Sequence, residues 1–385
     1  MFMEILLIAD TKSIWTKEFI DKVLLPIGAS VSLQCDPDAD GRFDDYYREN
    51  GVRMIGRYRL SPLITKIPKI RVLHRELRKK AALEPYKGKF DAVVVLYVTP
   101  FAVKCAKIIS DGKTKIYAMF IGSDILRIES KDVKRLCELM KDHTLSVVCE
   151  SCQTARAFQE KIGDRISVFS NTIYLGNTVI PHIDEKIKNG RLRCKREFNI
   201  PENRISVCIG YNASPAQQHL KVVEQLKKLD EEIKSKIYIV IPAAYGGTKE
   251  YISEINSALQ ASGIEYGILT EFLNQEEAAA LRVATDIFIN AQTTDAISAS
   301  VMEAYYAGAR LISAEWLKYQ EFLNWDLEYI NFKSFDGLNE ALVKCLDMGF
   351  DQCNRNRMKI FKEKSWKTCQ NKWNDMLNKG ETEND

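Results

Sequence analysis

The chain has 385 residues, 46% of them hydrophobic and 28% charged, with a formal net charge of +3. This length suits two domains of ordinary size, and the composition excludes a collagen-like, repetitive or intrinsically disordered chain. No run of eighteen apolar residues occurs, so no membrane-spanning helix is expected.

Short β-rich apolar runs alternate with longer amphipathic runs along the whole chain. This alternation is typical of parallel sheets whose strands are joined by crossover helices. Two sheets are predicted, one in each half of the chain. The predicted strands of the first half are residues 4–9, 29–33, 91–98, 115–120 and 145–149. Those of the second half are residues 205–210, 236–241, 264–269, 286–290 and 309–313.

The domain boundary is predicted in residues 171–201, where Gly, Asn, Pro and charged residues mix without a clear period. We therefore expect a first domain over residues 1–185 and a second over residues 186–353. Residues 354–377 predict one long charged helix with a polar tail to residue 385. The apolar contacts predicted for this helix are Phe361, Trp366, Trp373 and Met376.

Positive charge is concentrated in residues 53–89, which carry twelve Lys or Arg and only two Glu. The segment is therefore +10 and the rest of the chain −7. One basic segment on an otherwise acidic chain suggests a local anionic target, and no nucleic-acid partner is expected.

Residues 64–83 place apolar side chains at helical spacing beside this positive charge. The apolar positions are Ile64, Ile67, Ile70, Leu73, Leu77 and Ala81. This pattern is typical of a helix that lies on an anionic membrane, and equally of a core-packed helix with a solvated basic face. The membrane hypothesis assigns the lipid contacts to Arg75, Arg78, Lys79 and Lys80.

The most informative segment is residues 293–312, where a polar stretch leads into a predicted helix that Gly308 should end. Glu303 has apolar neighbours, and a buried carboxylate must be paired, for example with the two hydroxyls of a nucleotide ribose. Asp295 is predicted at the helix start, where it either caps backbone N–H groups or contacts a ligand. The N–H groups of Ile297 and Ser298 are predicted to bind a diphosphate.

A second predicted anion site follows the strand at residues 205–210. There Gly210, Asn212 and Ser214 precede Pro215, which suits the first position of a helix. Both predicted sites follow the carboxyl ends of strands, where ligands bind in open α/β sheets.

These segments resemble family-4-like glycosyltransferases of the GT-B fold. The spacing of Asp295 and Glu303, the Ala-x-x-x-Gly at residues 304–308 and the following strand look like the E-x7-E region of that family. Residues 120–124 resemble its Gly-Ser-Asp turn, and residues 192–209 and 269–288 resemble the stretches that precede the E-x7-E region. Residues 210–219 and 241–252 also resemble lipid-linked 4-acetamidofucosyltransferases. The resemblance covers most of the chain, more firmly from about residue 190.

The resemblance implies an α/β GT-B fold with two Rossmann-like domains whose parallel sheets face a central cleft. It implies a metal-independent hexosyltransferase without a cofactor, which moves a sugar from a nucleotide-diphosphate donor to a glycan or lipid-linked acceptor in surface polysaccharide or glycoconjugate assembly. The first domain would bind acceptor and membrane, and the second the donor.

The resemblance also implies roles for single residues. Glu303 would bind the ribose and Asp295 the donor sugar. The diphosphate and the rest of the donor would contact Gly210, Asn212, Ser214, Ile297, Ser298 and Tyr245. In the first domain, Asp124 of the Gly-Ser-Asp turn and His143 are candidate catalytic residues.

The sequence departs from the family at three points. Asp295 stands where Glu is usual, and Ala-Ile-Ser at residues 296–298 replaces Gly-Phe-Gly. The Arg and Lys that usually brace the diphosphate are missing, with Gln217, Gln218 and His219 near the expected Lys. Two alternatives therefore stay open: a nucleotide-sugar epimerase on the same fold, and a non-catalytic partner of an active transferase.

Two weaker motifs and the cysteine content complete the sequence evidence. Cys149 and Cys152 form the only C-x-x-C, and residues 36–41 copy the first half of a calcium loop without its final Glu. We interpret the first as core thiols and the second as a surface turn. Ten scattered cysteines and an N-terminus without a hydrophobic signal segment favour a reducing compartment. We expect a cytoplasmic protein, peripheral on the inner face of the membrane.

Overall fold

The computed structural model describes residues 3–35, 41–58, 68–141, 145–163, 170–348 and 351–379. The chain forms two compact units, Met1–Gly176 with Ser365–Asp385, and Asn177–Lys364. The sequence placed this division after residue 185 and set residues 354–385 apart. The two ends of the second unit are joined, because the Asn177 N–H donates to the Lys364 carbonyl at 2.9 Å.

The first unit is built on a seven-stranded sheet with the order β3-β2-β1-β4-β5-β6-β7. All of its strand pairs are parallel. Its strands are β1 Glu4–Ile8, β2 Ser30–Gln34, β3 Arg53–Ile55, β4 Ala92–Leu96, β5 Lys115–Phe120, β6 Leu145–Cys149 and β7 Ser170–Thr172. Its helices before residue 177 are α1 Ile14–Phe19, a π-turn Ile20–Leu24, α2 Asp44–Glu49, α3 Pro68–Leu83, α4 Pro100–Ile109, α5 Ser123–Leu126, α6 Ser130–Leu139 and α7 Cys152–Lys161.

Both faces of this sheet are buried, as expected for parallel strands between helices. Alternate residues of β1 enter different apolar clusters, with Ile5 and Leu7 in one and Leu6 and Ile8 in the other. The near-continuous apolar runs that predicted these strands therefore arise because each strand packs on two layers of helices.

The second unit is built on a six-stranded parallel sheet with the order β10-β9-β8-β11-β12-β13. Its strands are β8 Ile205–Ile209, β9 Ile237–Pro242, β10 Glu265–Leu269, β11 Ile287–Asn290, β12 Arg310–Ala314 and β13 Ile330–Phe332. Its helices are α8 Ile180–Asn189, α9 Arg191–Glu197, α10 His219–Leu226, α11 Glu231–Lys234, α12 Lys249–Gln260, α13 Gln275–Ala284, α14 Ala299–Tyr306, α15 Gln320–Asn324, α16 Leu338–Asp347 and α17 Asp351–Lys364.

All ten strands predicted from the sequence are present, with ends within two residues of the prediction. The structure adds β3, β7 and β13, each three residues long and each at an edge of its sheet. Three residues are too few to show a period of two, which explains why the sequence did not predict them.

The long helix predicted over residues 354–377 is two helices in the structure. The first, α17, ends at Lys364, and the second, α18 Trp366–Lys379, packs on the first unit. Trp373 of α18 is fully buried there, with its ring 5.1 Å from that of Phe19. Phe361, expected as a core contact, is exposed on α17.

Helix α18 approaches the first unit so closely that one position must be glycine. A Cβ atom at Gly176 would lie 2.3 Å from the Trp366 ring.

Among the described residues, no helix combines the length and apolarity needed to cross a bilayer.

Candidate functional site

Apart from Glu303, which lies on α14, the residues that the sequence assigned to the donor lie in loops at the carboxyl edge of the second sheet. In an open parallel sheet this edge is where ligands bind. The loops are joined by backbone hydrogen bonds: Ala213 N–H donates to the Tyr245 carbonyl at 2.8 Å, and Thr293 N–H donates to the Ala216 carbonyl at 2.9 Å. The loops after β8, β9 and β11 therefore form one connected surface.

The loop after β8 is shaped by its own polar side chains. The Asn212 carbonyl oxygen accepts the Ser214 N–H at 2.9 Å, and the Ser214 hydroxyl oxygen accepts the Ala216 N–H at 3.3 Å. Gly210 has φ +65, and a Cβ atom there would lie 2.6 Å from Gln217 Oε1. The left-handed φ favours glycine at this position, and a larger residue would also displace the Gln217 side chain.

The α-helix predicted to begin at Pro215 begins at His219 instead. Pro215–Gln217 form a three-residue 3-10 turn, and Gln218 follows in the left-handed conformation with φ +59, which interrupts the helix. The predicted helix N-terminus after Ser214 is therefore not formed.

The three residues near the expected cation, Gln217, Gln218 and His219, are buried or half-buried in the protein. Gln217 is buried, and Gln218 donates to the Ala291 carbonyl at 2.7 Å. His219 is fully buried, and burial lowers its pKa to about 4. The imidazole is therefore neutral at physiological pH and adds no positive charge to the edge.

The loop after β9 carries Tyr245 and lies directly on the loop after β8. A Cβ atom at Gly247 would lie 2.4 Å from the Ala213 carbonyl oxygen, so glycine permits this close approach. Tyr245 is exposed, and its ring centroid lies 6.4 Å from that of Phe272 in the loop after β10. The sequence did not point to Phe272, because an isolated aromatic in a polar loop has no periodic signal.

The loop after β11 turns sharply before α14. Ile297 is buried with φ +63, a conformation that is strained for a β-branched residue. The helix begins at Ala299, so Asp295 is not at the helix start as predicted. The Asp295 carboxylate accepts the Ser298 N–H at 3.1 Å, which corrects the prediction that this N–H is free for a diphosphate.

Asp295 is the centre of a buried polar network that the sequence did not predict. Its carboxylate accepts from the Tyr319 hydroxyl and from the Asn290 side-chain amide. Burial raises the pKa of Asp295 and raises that of Tyr319 well above its usual value. Gln292 extends the network by donating to Asn290 at 3.2 Å and accepting from the Tyr211 hydroxyl at 3.1 Å. Through Asp295, which accepts the Ser298 N–H, the network holds the strained turn at Ile297 in place.

Glu303 is buried, as its apolar neighbours predicted, and the second unit itself supplies partners for its carboxylate. The Asn177 amide donates to Oε1 at 2.9 Å, and the Arg282 Nε donates to Oε2 at 3.2 Å. Both side chains of the ion pair are only 7% exposed. Each carboxylate oxygen can accept a second hydrogen bond, so ribose binding by Glu303 stays a prediction.

In the first unit, Asp124 joins two loops at the carboxyl edge of the sheet. Its carboxylate accepts the N–H groups of Val98 at 2.8 Å and Gly122 at 2.7 Å. Burial raises the pKa of Asp124, and this effect is larger than the opposite effect of the hydrogen bonds that its carboxylate accepts. The geometry gives Asp124 a structural role. The other candidate of this domain, His143, lies outside the described residues.

Of the four basic residues predicted to contact lipid from α3, one is buried. Lys79 is 1% exposed, and its ammonium donates to the Cys35 carbonyl at 3.1 Å. It lies 5.2 Å from the ring centre of Tyr58, so the predicted lipid contact by Lys79 is wrong. Arg75, with its guanidinium 4.9 Å from the ring centre of Phe101, is exposed, as are Arg78 and Lys80.

Three apolar side chains of the predicted stripe on α3 are exposed to solvent. Leu73 is 58% exposed and Leu77 59% exposed, and Ala81 is also exposed. These positions are four residues apart, so they line one side of the helix. The rest of the predicted stripe, Ile64, Ile67 and Ile70, is not described.

The two weak motifs do not form a metal site within the described residues, where no cluster of three His, Cys, Asp or Glu occurs. Cys149 is a buried free thiol whose pKa burial raises to about 12, and the Cys152 thiol lies 3.6 Å from the Tyr174 hydroxyl. Residues 36–40 of the acidic turn lie outside the described residues.

Comparisons with known proteins establish the fold. The sequence matches no protein-family model and no curated protein. A Rickettsia africae glycosyltransferase is 14% identical with a TM-score of 0.73, covering 99% of this chain and 100% of its own. Sucrose-phosphate synthase from Thermosynechococcus elongatus is 12% identical with a TM-score of 0.73, covering 98% of each chain. Anabaena HepE, in complex with UDP and glucose, is 14% identical with a TM-score of 0.69, covering 98% of this chain and 100% of its own. The predicted GT-B fold of two Rossmann-like domains is confirmed.

Proposed function

We propose that this protein is a glycosyltransferase that binds a nucleotide-diphosphate sugar at the carboxyl edge of its second unit. In this proposal it transfers the sugar to a glycan or lipid-linked acceptor in surface polysaccharide or glycoconjugate assembly. The observation that carries the proposal is the connected surface of the loops after β8, β9 and β11. The likeness to Anabaena HepE, crystallised with UDP and glucose, supports the same choice of donor.

The geometry of these loops supports the following donor contacts. The oxygens of Asn212 and Ser214 accept within their own turn, while the amide hydrogens of Asn212 and the hydroxyl hydrogen of Ser214 donate to the diphosphate. Glu303 accepts from the ribose with the lone pairs that Asn177 and Arg282 do not use. Asp295 positions the turn at Ile297 that faces the sugar, instead of contacting the sugar itself.

Catalysis in this proposal is electrostatic. Hydrogen-bond donors fixed before the reaction stabilise the charge that develops on the departing nucleoside diphosphate. The proposal assigns no metal and no cofactor to this step.

The environment of His219 favours a second candidate function. A buried, neutral imidazole and two uncharged glutamines stand where the resembled family places a cation. A protein that binds the donor but does not turn it over would be a non-catalytic partner of an active transferase.

Incubation of the purified full-length chain with a panel of UDP-, GDP- and dTDP-sugars separates these functions. We expect one donor class to raise the melting temperature, since ligand at 100 times its Kd adds about 2.7 kcal/mol to stability. Release of nucleoside diphosphate from that donor, with or without acceptor, supports the enzyme. Stabilisation without turnover of any donor favours the non-catalytic partner, and no stabilisation by any nucleotide contradicts both.

For the first unit we propose contact with an anionic membrane through α3, which would bring the protein to a lipid-linked acceptor on the inner face of the membrane. The exposed side chains Leu73 and Leu77 support this, because a core-packed helix would bury them. At 3.6 residues per turn, Lys80 and Arg78 flank this stripe on opposite sides. Each basic residue near a charged leaflet contributes about 1 kcal/mol.

Vesicle co-sedimentation tests the membrane contact. We expect the protein to sediment with vesicles of phosphatidylserine and phosphatidylcholine at low salt, but not with phosphatidylcholine alone. Exchange of Arg78 and Lys80 for Glu should release it. A matched control exchanges Lys87 and Lys89 for Glu, which are exposed in the same basic segment but lie after the helix. Equal sedimentation of both variants would contradict the proposed face.

A further inference from the structure

The second unit exposes two large aromatic side chains that contact each other at its ligand edge. Tyr245 is 52% exposed and Phe272 is 67% exposed, with ring centroids 6.4 Å apart and ring planes at 46°. Single exposed apolar residues are common on protein surfaces. A pair in contact, at the edge where ligands of parallel sheets bind, is more specific.

The pair results from the register of β9 and β10. Pro242 and Leu269 are register partners at the carboxyl ends of these strands. Tyr245 and Phe272 each follow three residues after these partners. Because the strands are parallel, the two residues lie at the same distance along the chain from the carboxyl edge of the sheet. The Ala243 N–H also donates to the Leu269 carbonyl at 2.7 Å, which holds the starts of the two loops together.

Both rings stand on loops that are fixed at their far ends. Two residues after Phe272, Asn274 caps α13, accepting the N–H groups of Glu276 at 2.9 Å and Glu277 at 3.0 Å. On the other loop, the Tyr245 carbonyl accepts the Ala213 N–H. The two aromatic side chains are therefore presented to solvent from a rigid backbone, which lowers the entropy lost when a ligand binds.

The position of the pair indicates its ligand. Tyr245 is bonded to the loop that carries Asn212 and Ser214, which the proposed function assigns to the diphosphate. A nucleotide joins a flat apolar ring to a phosphate chain, and aromatic side chains hold nucleobases by stacking on their faces. A diphosphate alone would gain nothing from the two rings.

We infer that Tyr245 and Phe272 form the binding site for the nucleobase of the donor and hold it by its face. This inference rests on the proposed function and adds to it a base site with Phe272 as a new contact residue. Since every base has a π-face, stacking contributes affinity for any base, and the choice among bases must come from hydrogen bonds to the base edge.

Calorimetric titration of full-length protein with UDP, GDP, dTDP and inorganic pyrophosphate tests the inference. The variants are Tyr245→Ala, Phe272→Ala and the double variant. We expect the nucleoside diphosphate that binds the wild type to bind the single variants roughly 5- to 150-fold more weakly, the fold-change that corresponds to about 1–3 kcal/mol of stacking. Pyrophosphate, which has no base, should bind all proteins equally. Phe272→Tyr should restore binding.

Met358→Ala is the matched control, because Met358 is 71% exposed in the same unit. Unchanged nucleotide affinity in the folded double variant overturns the inference, and so does an equal loss of pyrophosphate affinity. A loss confined to the nucleotide sugar, with the free nucleoside diphosphate bound normally, also overturns it and assigns the pair to the sugar ring. If the wild type binds none of UDP, GDP and dTDP, the proposed function fails and the inference fails with it.

Discussion

Replacement of Glu303 should destabilise the second unit strongly, because its carboxylate balances a buried guanidinium. Glu303→Ala removes an ion pair in which both side chains are 7% exposed, and removal of one partner of such a pair costs about 3–5 kcal/mol. It also removes the acceptor of the Asn177 amide, and a buried donor without an acceptor costs about 1–3 kcal/mol. The two terms overlap, so we expect a total loss of no less than about 3 kcal/mol.

Urea unfolding of wild type, Glu303→Ala and Glu303→Gln measures this loss. The Gln variant keeps an oxygen for Asn177 but not the charge that balances Arg282, so we expect its stability between the other two. Glu315→Ala is the control, since Glu315 is exposed in the same unit. A Glu303→Ala protein within 1 kcal/mol of wild type would refute the buried pairing.

Glu303→Gln, if folded, also tests the ribose contact. A hydrogen bond to a charged group contributes about 1.5–3 kcal/mol, so nucleoside diphosphate affinity should fall by an amount of that order. Unchanged affinity in the folded variant would leave Glu303 as a structural residue only.

The remaining predictions concern catalysis, pH dependence and the first unit. Asp295→Asn should lower turnover but leave nucleoside diphosphate affinity nearly unchanged in calorimetry, because Asp295 holds the turn and not the nucleotide; normal turnover would show that the charge has no role. Burial lowers the pKa of His219 to about 4, so between about pH 4 and 6.5 the unfolded chain binds a proton that the folded chain does not. The free energy of unfolding should therefore increase by about 3 kcal/mol as the pH is raised from 4 to 6.5. His219→Phe should remove that dependence in urea unfolding at each pH, and equal pH profiles of the two proteins would contradict it. Lys79→Glu should lower the stability of the first unit, whereas Arg78→Glu, one residue earlier and exposed, should lower vesicle binding with little loss of stability; thermal unfolding and co-sedimentation separate the two, and the reverse pattern would contradict the burial of Lys79.

The sheets could be predicted from the sequence because each buried strand is a continuous apolar run between turn residues. The short edge strands and the break at Ser365 depend on contacts between distant segments, which no local pattern records. Trp366 and Trp373 were recognised as apolar contacts, but only the structure shows that they pack on the first unit.

The site could be predicted only in part for the same reason. The loops that we propose to bind the donor, at residues 210–214 and 291–298, follow the ends of strands that the sequence predicted. One of the two partners of Glu303 is Asn177, 126 positions away in the chain. Helical spacing could not predict that Lys79 turns inward among its exposed neighbours. Ile297 adopts the left-handed conformation, which α-helices exclude, so α14 begins after it, at Ala299. A β-branched residue rarely adopts this conformation, so the sequence did not predict it.

Hydrogen exchange with and without saturating nucleoside diphosphate tests the central claim most directly, because it locates the ligand on the chain. The account predicts protection in the loops at residues 210–214, 243–247, 270–274 and 291–298 and in α14. Protection confined to other segments, or unchanged exchange at a concentration that saturates binding, would contradict a donor site at the carboxyl edge of the second sheet.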